Sequence, residues 1–368
     1  MPNLLAQGGF GCVYYPSIDN GRKDKKSDKE FVTKIQRKDE AAANEIRVGK
    51  LISSFKKYRL FFLPIVKSWN LTIDKRNVGE FKDCDIISNS VSKYIAMDVP
   101  FVKATDFLIE LKANGPHRKV LILLESFRVL LMSVEVLHSL KVVHFDLKLG
   151  NILYLKVSQL PRILDFGISI IDPLSLAFPE GVYDIEKKLQ ALKTHFYVFT
   201  VEYKPWCLDI VVLSCIAEYK EWSATHAKMI ADQYEDKSRL GANRMREIVS
   251  QLTKYGTMSL PALVNYLLSQ WRTWDIYSIG IIYQDIFKDL MADDTSIFLQ
   301  NWQRIIGKAV SANPEHRLGA EDSVKQFDDL FLTWSDPAIY SKIVTEFNDH
   351  AIEMQATIRP TAALISQN

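Results

Sequence analysis

The stretch His144-Phe145-Asp146-Leu147-Lys148-Leu149-Gly150-Asn151, followed by Asp165-Phe166-Gly167, decides how this chain is read. It sets a cation two residues after an acid, an amide five residues after that acid, and a second acid fourteen residues beyond the amide. Asp146 is suited to take a proton from a hydroxyl, and Lys148 to stand beside a phosphoryl group in transit. Asn151 and Asp165 offer one neutral and one anionic oxygen for Mg²⁺, a hard cation that takes few protein ligands. A lone His-x-Asp is more often a surface turn; the chemistry is carried by the order and spacing of the whole set.

Around this stretch, 368 residues are enough for two lobes or domains. A hydrophobic share of 48% and a charged share of 24% are ordinary for a soluble globular chain. With a net charge of +2, nothing global argues for a nucleic-acid or membrane partner, and neither is expected. Cys12, Cys84, Cys207 and Cys215 are far apart and form no C-x-x-C pair, so reduced thiols in an intracellular, cytoplasmic or nuclear protein are the expectation. No basic segment followed by an apolar run opens the chain, so no secretory signal is expected. The apolar run 120–140 contains Glu125, Arg128, Glu135 and His138, which reads as a buried helix and not a membrane span.

Upstream, Ala6-Gln7-Gly8-Gly9-Phe10-Gly11-Cys12-Val13 is a glycine-rich turn of the kind whose bare amides approach phosphate oxygens. The charged run 21–29 reads as a solvated hairpin tip, because no aromatics interleave it. Strands are expected over 31–35, ending near Lys34, and over 60–69 and 94–99. A helix is expected around 41–48, where Glu45 is preferred over Glu40 as a partner for Lys34. Leu123, Phe127, Leu130, Leu131, Val134 and Leu137 follow helical spacing and lead, through the short strand Val142-Val143, into His144.

Together these motifs resemble those of eukaryotic-type serine/threonine protein kinases, of which the chain looks like a divergent member. The resemblance spans roughly 4–335. It implies an α+β, bilobal kinase fold, with a small mainly β nucleotide-binding lobe over 1–99 and a larger mainly α catalytic lobe over 100–338. A helical insertion over about 208–270 and a C-terminal helix or tail over 339–368 complete it. ATP and Mg²⁺ (or Mn²⁺) are the implied cofactors and a protein the implied substrate. The implied catalytic set is Asp146 as base, Lys148 at the γ-phosphate, and Lys34 oriented by Glu45, with Asn151 and Asp165 on the metal. The implied nucleotide contacts are Ala6, Gly8, Gly9, Gly11, Val13, Val32, Lys34, Met97 as gatekeeper, Asp98 and Val99 in the hinge, and Leu153 below adenine. Lys148 favours a serine or threonine acceptor over tyrosine.

Several positions depart from the family pattern. Ala6 replaces the first glycine, and Gly49 falls where an apolar side chain packs, which is expected to loosen the helix. Phe145 replaces the arginine that reads a phosphate on the activation segment, so control by phosphorylation there is not expected. In 200–207, Thr200 is expected on Asp146 and Lys148 and Tyr203 below the substrate, while Trp206-Cys207 replaces the terminal Pro-Glu. Arg317 therefore lacks its usual partner, with Glu202 and Asp209 as substitutes. Asp275, in Trp274-Asp275-Ile276-Tyr277-Ser278-Ile279-Gly280, would brace the catalytic loop. The excess chain before it has helical spacing at Met245, Ile248, Val249 and Leu252, then at Leu260, Leu263, Val264, Leu267 and Trp271. It is read as added bulk or a protein-docking surface. Two other readings stand beside an active kinase: a pseudokinase scaffold that binds nucleotide without transfer, and a small-molecule kinase.

Overall fold

A computed structural model describes residues 2–8, 11–18, 28–73, 78–81, 83–87, 93–179, 184–237, 240–291, 296–331 and 341–358. The fold is mixed α+β, mostly helical, with one five-stranded antiparallel sheet. The chain divides into two compact units, Met1–Glu110 with Asn151–Ser169 and Leu111–Gly150 with Ile170–Asn368. Residues 100–110 and 151–169, assigned from sequence to the larger lobe, thus belong with the first unit.

The first unit opens with β1 (Asn3–Gly8), β2 (Gly11–Tyr15) and β3 (Phe31–Arg37). The charged run 21–29 lies largely outside the described residues, as does Gly9; Asp28–Glu30 forms a 3-10 turn. The helix α1 (Glu40–Ser54) starts where Asp39 caps it, its carboxylate accepting from the Ala42 amide at 2.9 Å. Gly49 does not loosen α1. A Cβ there would meet the Ile65 carbonyl oxygen at 2.6 Å, so glycine is what lets the helix lie against the following segment.

The strand expected over 60–69 begins only at Lys67, as β4 (Lys67–Thr72). Residues before it pair elsewhere: the Leu63 amide donates to Ile163 O and the Ile163 amide to Phe61 O, both at 2.9 Å. Pro64, with no N–H, cannot continue a ladder there. β5 (Lys93–Pro100) completes the sheet in the order β1-β2-β3-β5-β4. A register shift between Leu4 and Ala6 leaves Leu5 as the extra residue, which turns Leu4 to the face of Tyr14 and Ala6 to the face of Val13.

The chain continues through β6 (Ala104–Asp106), α2 (Phe107–Ala113), α3 (Pro116–Ser139) and β7 (Val142–Val143), then β8 (Ile152–Leu155), β9 (Pro161–Ile163) and β10 (Ile170–Ile171). A three-stranded sheet of order β6-β8-β9 belongs to the first unit, and the β7–β10 pair to the second. All six apolar positions predicted for the long helix are buried in α3. The later helices are α4 (Ile185–Lys193), α5 (Leu208–Tyr219), α6 (Ala224–Lys237), α7 (Ala242–Gly256), α8 (Leu260–Ser269), α9 (Trp274–Leu290), α10 (Ile297–Ala309), α11 (Ala320–Phe331) and α12 (Ser341–Ile358), and the last two meet charges of α3. Arg128 holds Asp328 of α11 at 2.7 and 2.8 Å, and Glu125 pairs with His350 of α12. Among the described residues, no helix is long and apolar enough to cross a membrane.

The insertion expected over 208–270 needs redrawing. Residues 208–217 of α5 are buried throughout and belong to the core of the second unit. Helices α6 and α7 pack on each other; Ile230 and Tyr234 of the first and Ile248 and Leu252 of the second are buried, whereas Val249 is 44% exposed.

One expectation is overturned outright. Cys12 and Cys84 form a disulfide across a sequence separation of 72; Cys207 and Cys215 are buried free thiols. Spacing was a poor guide because the two sulfurs meet only once the β4–β5 connection folds over the sheet. Closing a loop of that length restricts the unfolded chain by about 4 kcal/mol.

Candidate active site

In the first unit, the candidate residues fall on one face of the sheet because of its register. Ala6 pairs with Val13, Val13 with Lys34, Lys34 with Met97 and Met97 with Ser68. Cross-strand partners share a face and so do residues two apart, which adds Gly8, Gly11, Val32 and Val99 to that row. Met97 is fully buried against Ala42 and Ile65, while Val13 and Leu153 are half-buried. Asp98 faces the other way: its carboxylate accepts from Thr33 Oγ1 at 2.8 Å, and its backbone carbonyl accepts from the Val66 amide at 2.9 Å. Val99 lies within β5 opposite Val32, so its amide belongs to the strand and not to a free hinge. At Gly11 a Cβ would meet the Ile35 carbonyl oxygen at 2.4 Å, which requires glycine.

Lys34 is the centre of this face. Its Nζ lies 2.8 Å from Glu45 and 3.2 Å from Asp165. Burial works against the ammonium, but the two carboxylates outweigh it and hold its pKa above the usual lysine value. Burial, with Asp165 adding to it, lifts the Glu45 carboxyl, and Lys34 opposes that lift. Glu40, the competing candidate, instead pairs with Arg47 on the surface. Asp165 adopts a left-handed backbone, φ 64°, uncommon for a residue with a side chain and frequent at functional sites. Two contacts fix the segment around it. Phe166 packs edge-on against Phe62 at 6.0 Å, and Asn44 of α1 donates to Gly167 O at 3.1 Å and Ser169 O at 2.8 Å. Asn44 was missed in the sequence; its only signal is its place beside Glu45 on the buried side of the helix. Asn151 is buried, and its carbonyl accepts from the Leu164 amide at 3.1 Å, which places 151 beside 164–165.

In the second unit, Asp275 of α9 braces the loop backbone. It accepts from the His144 amide at 2.7 Å and the Phe145 amide at 3.0 Å. Burial raises its carboxyl pKa, opposed by His144 and those amides. Lys148 bonds both oxygens of Asp146, at 3.2 and 3.0 Å. The expected contact of Thr200 with Asp146 is replaced by another. Thr200 Oγ1 accepts from the Glu202 amide at 3.1 Å, and the Tyr203 hydroxyl donates to Asp146. Burial and then the Asp146 carboxylate push the Tyr203 phenol well above its usual range, so it remains a donor.

Phe145 also has a left-handed backbone, φ 70°, and its ring is buried among aromatics. Ring centroids stand 5.5 Å from Phe196, 5.2 Å from Trp206 and 6.3 Å from Trp274. Trp206 Nε1 donates to Phe145 O at 2.9 Å. Trp206, which replaces the expected Pro-Glu, is therefore a fixed anchor for the segment before it. Arg317 finds its partner in Asp209, both side chains being fully buried, whereas Glu202 lies on the surface near Lys237.

Among the described residues no group of three or more His, Cys, Asp or Glu is placed to hold a metal ion. The chain matches no protein-family model, and no curated protein matches it in sequence.

Proposed function

We propose that the chain is an ATP-dependent serine/threonine protein kinase with the bilobal α+β fold of that family. The observation that carries this reading is the Lys34 ammonium held at once by Glu45 and Asp165. A partly buried lysine fixed between two carboxylates on a glycine-edged sheet face is suited to phosphate oxygens. Asp146 is suited to accept the proton of a serine or threonine hydroxyl, and Lys148 to balance charge at the phosphoryl group. One amide and one carboxylate, Asn151 and Asp165, fit an ion that keeps phosphate and water oxygens around it. Mg²⁺ or Mn²⁺ held there would neutralise charge on the phosphates.

The test is transfer of labelled γ-phosphate from ATP to a serine/threonine peptide library. Wild type is expected to transfer, and Asp165→Ala to fall to background while remaining folded. No transfer by wild type with either Mg²⁺ or Mn²⁺ would sink the reading.

One observation favours the alternative of a catalytically weak pseudokinase that binds nucleotide as a scaffold: the Tyr203 hydroxyl sits on Asp146, where an acceptor hydroxyl would bond. Tyr203→Phe separates the two readings, since it removes the hydroxyl and keeps the ring on Trp206. A hydrogen bond of about 1–1.5 kcal/mol, once removed, predicts a five- to tenfold rise in peptide transfer if the chain is an enzyme (about that range). A scaffold would show no transfer in either form.

A further inference from the structure

The sheet face opposite Lys34 carries a second constellation. Gln7 and Cys12 are register partners at the base of the glycine-rich turn, one step before its closing pair Gly8 and Gly11. Both are tied to consecutive residues of the β4–β5 connection. Cys12 is bonded to Cys84. Gln7 Nε2 donates to the Asp85 carboxylate, and the Asp85 amide donates back to Gln7 Oε1 at 3.1 Å. The connection is itself seated on the sheet, where Phe81 packs edge-on against Tyr14 at 5.6 Å and the Tyr94 hydroxyl donates to Ile86 O at 3.2 Å. The two strands that carry the turn are thus held at one level by a covalent bond and a reciprocal amide–carboxylate pair.

We propose that Cys84 and Asp85 form a redox-dependent clamp that fixes the facing ends of β1 and β2, at Gly8 and Gly11, for the phosphates of a nucleoside triphosphate. The proposal rests on the nucleotide reading given above. A phosphate cradle made of backbone amides binds best when its geometry exists before the ligand arrives, because ordering a free turn is otherwise charged against affinity. Reduction by a dithiol breaks the sulfur–sulfur bond: two electrons and two protons give the Cys12 and Cys84 thiols, and the dithiol closes to its own disulfide. The remaining Gln7–Asp85 pair is solvent-exposed and holds the turn weakly. Both sulfurs are buried, so exchange requires the 84–85 segment to lift first. Where disulfides persist the clamp is closed, and with the bond reduced the strand ends at Gly8 and Gly11 lose their covalent tie.

Four full-length samples test this: oxidised wild type, wild type reduced by dithiothreitol, Cys84→Ser and Asp85→Ala. Two readouts are taken, the Kd for MgATP by calorimetry and amide hydrogen exchange over residues 3–15 without nucleotide. The reduced protein and Cys84→Ser are expected to bind MgATP about three- to tenfold more weakly, and Asp85→Ala less than threefold, roughly as ordering costs of one short turn predict. Exchange over 3–15 should quicken in the first two while α9 stays unchanged. Unchanged exchange over 3–15 in both the reduced protein and Cys84→Ser would overturn the clamp; if Cys84→Ser fails to fold, the reduced wild type and Asp85→Ala decide. Quickened exchange with unchanged Kd would overturn its role in binding. Absence of MgATP binding by oxidised wild type would sink the nucleotide reading instead, with the exchange arm still deciding whether the clamp exists.

Discussion

Asp209→Ala is expected to destabilise the second unit by about 3–5 kcal/mol, the cost typical of leaving one member of a buried ion pair without its partner. Asp209 and Arg317 are fully buried. The guanidinium is further bonded to Thr273 Oγ1 and Ser311 O, each at 3.0 Å, and Trp274 Nε1 donates to the Asp209 carboxylate at 3.2 Å. Alanine removes the only carboxylate among these partners, and Arg317 cannot shed its proton to compensate. Against a total stability of about 5–15 kcal/mol, that loss is large. The double variant Asp209→Leu with Arg317→Met is expected to recover most of it, because no charge is left inside. Denaturant midpoints of the two single variants and the double variant decide the matter. A single-variant loss below about 1 kcal/mol would show that the pair is not the anchor described.

The residues of this pair show where the sequence is legible and where it stops. Arg317 stands out in the sequence, but Glu202 and Asp209 are both acids in or close to the segment 200–207. Only the start of α5 at Leu208 decides between them, by placing Asp209 in the first buried turn. Lys34, Glu45 and Asp165 each stand out in the sequence by a local motif, and the fold brings these three together. Glu45 beside Lys34 and Asp275 beneath His144 and Phe145 are contacts that the motifs anticipated. What was not readable depends on long-range meetings. The Cys12–Cys84 bond needs the β4–β5 connection to cross the sheet, and the Tyr203–Asp146 bond needs the path of a segment with little regular structure. The role of Gly49 is hidden from the sequence for a related reason. Its meaning lies in a backbone approach from Ile65, which helical periodicity does not encode. The strand expected over 60–69 failed because a hydrophobic run marks burial, and burial here comes from pairing with β9 instead of the main sheet.

Phe145→Ala is expected to have an effect of similar size, and it bears on control as well as stability. The Phe145 ring is buried against Phe196 and Trp206 from the segment that follows Gly167, and against Trp274 at the start of α9. Removing a buried phenyl ring typically costs about 3–5 kcal/mol, so the unfolding midpoint should fall accordingly. Because Trp206 also donates to Phe145 O, loss of the ring should loosen Trp206 and shift tryptophan emission toward that of a hydrated indole. Peptide transfer, if the proposed function holds, should fall with it, since Phe145 directly precedes Asp146 and its ring, packed on Phe196, Trp206 and Trp274, fixes the loop that carries that carboxylate. Phe145→Arg is not expected to rescue activity, because it would bury a guanidinium among the Phe196, Trp206 and Trp274 rings. In this reading packed rings hold the segment in place of a phosphate. Replacing Ser175, Thr194, Tyr197 and Thr200 one at a time by residues that cannot be phosphorylated should therefore leave transfer within about twofold, as expected for changes that leave the packing intact. Loss of transfer in any one of them, with folding preserved, would return control to phosphorylation and leave the cluster a purely structural role.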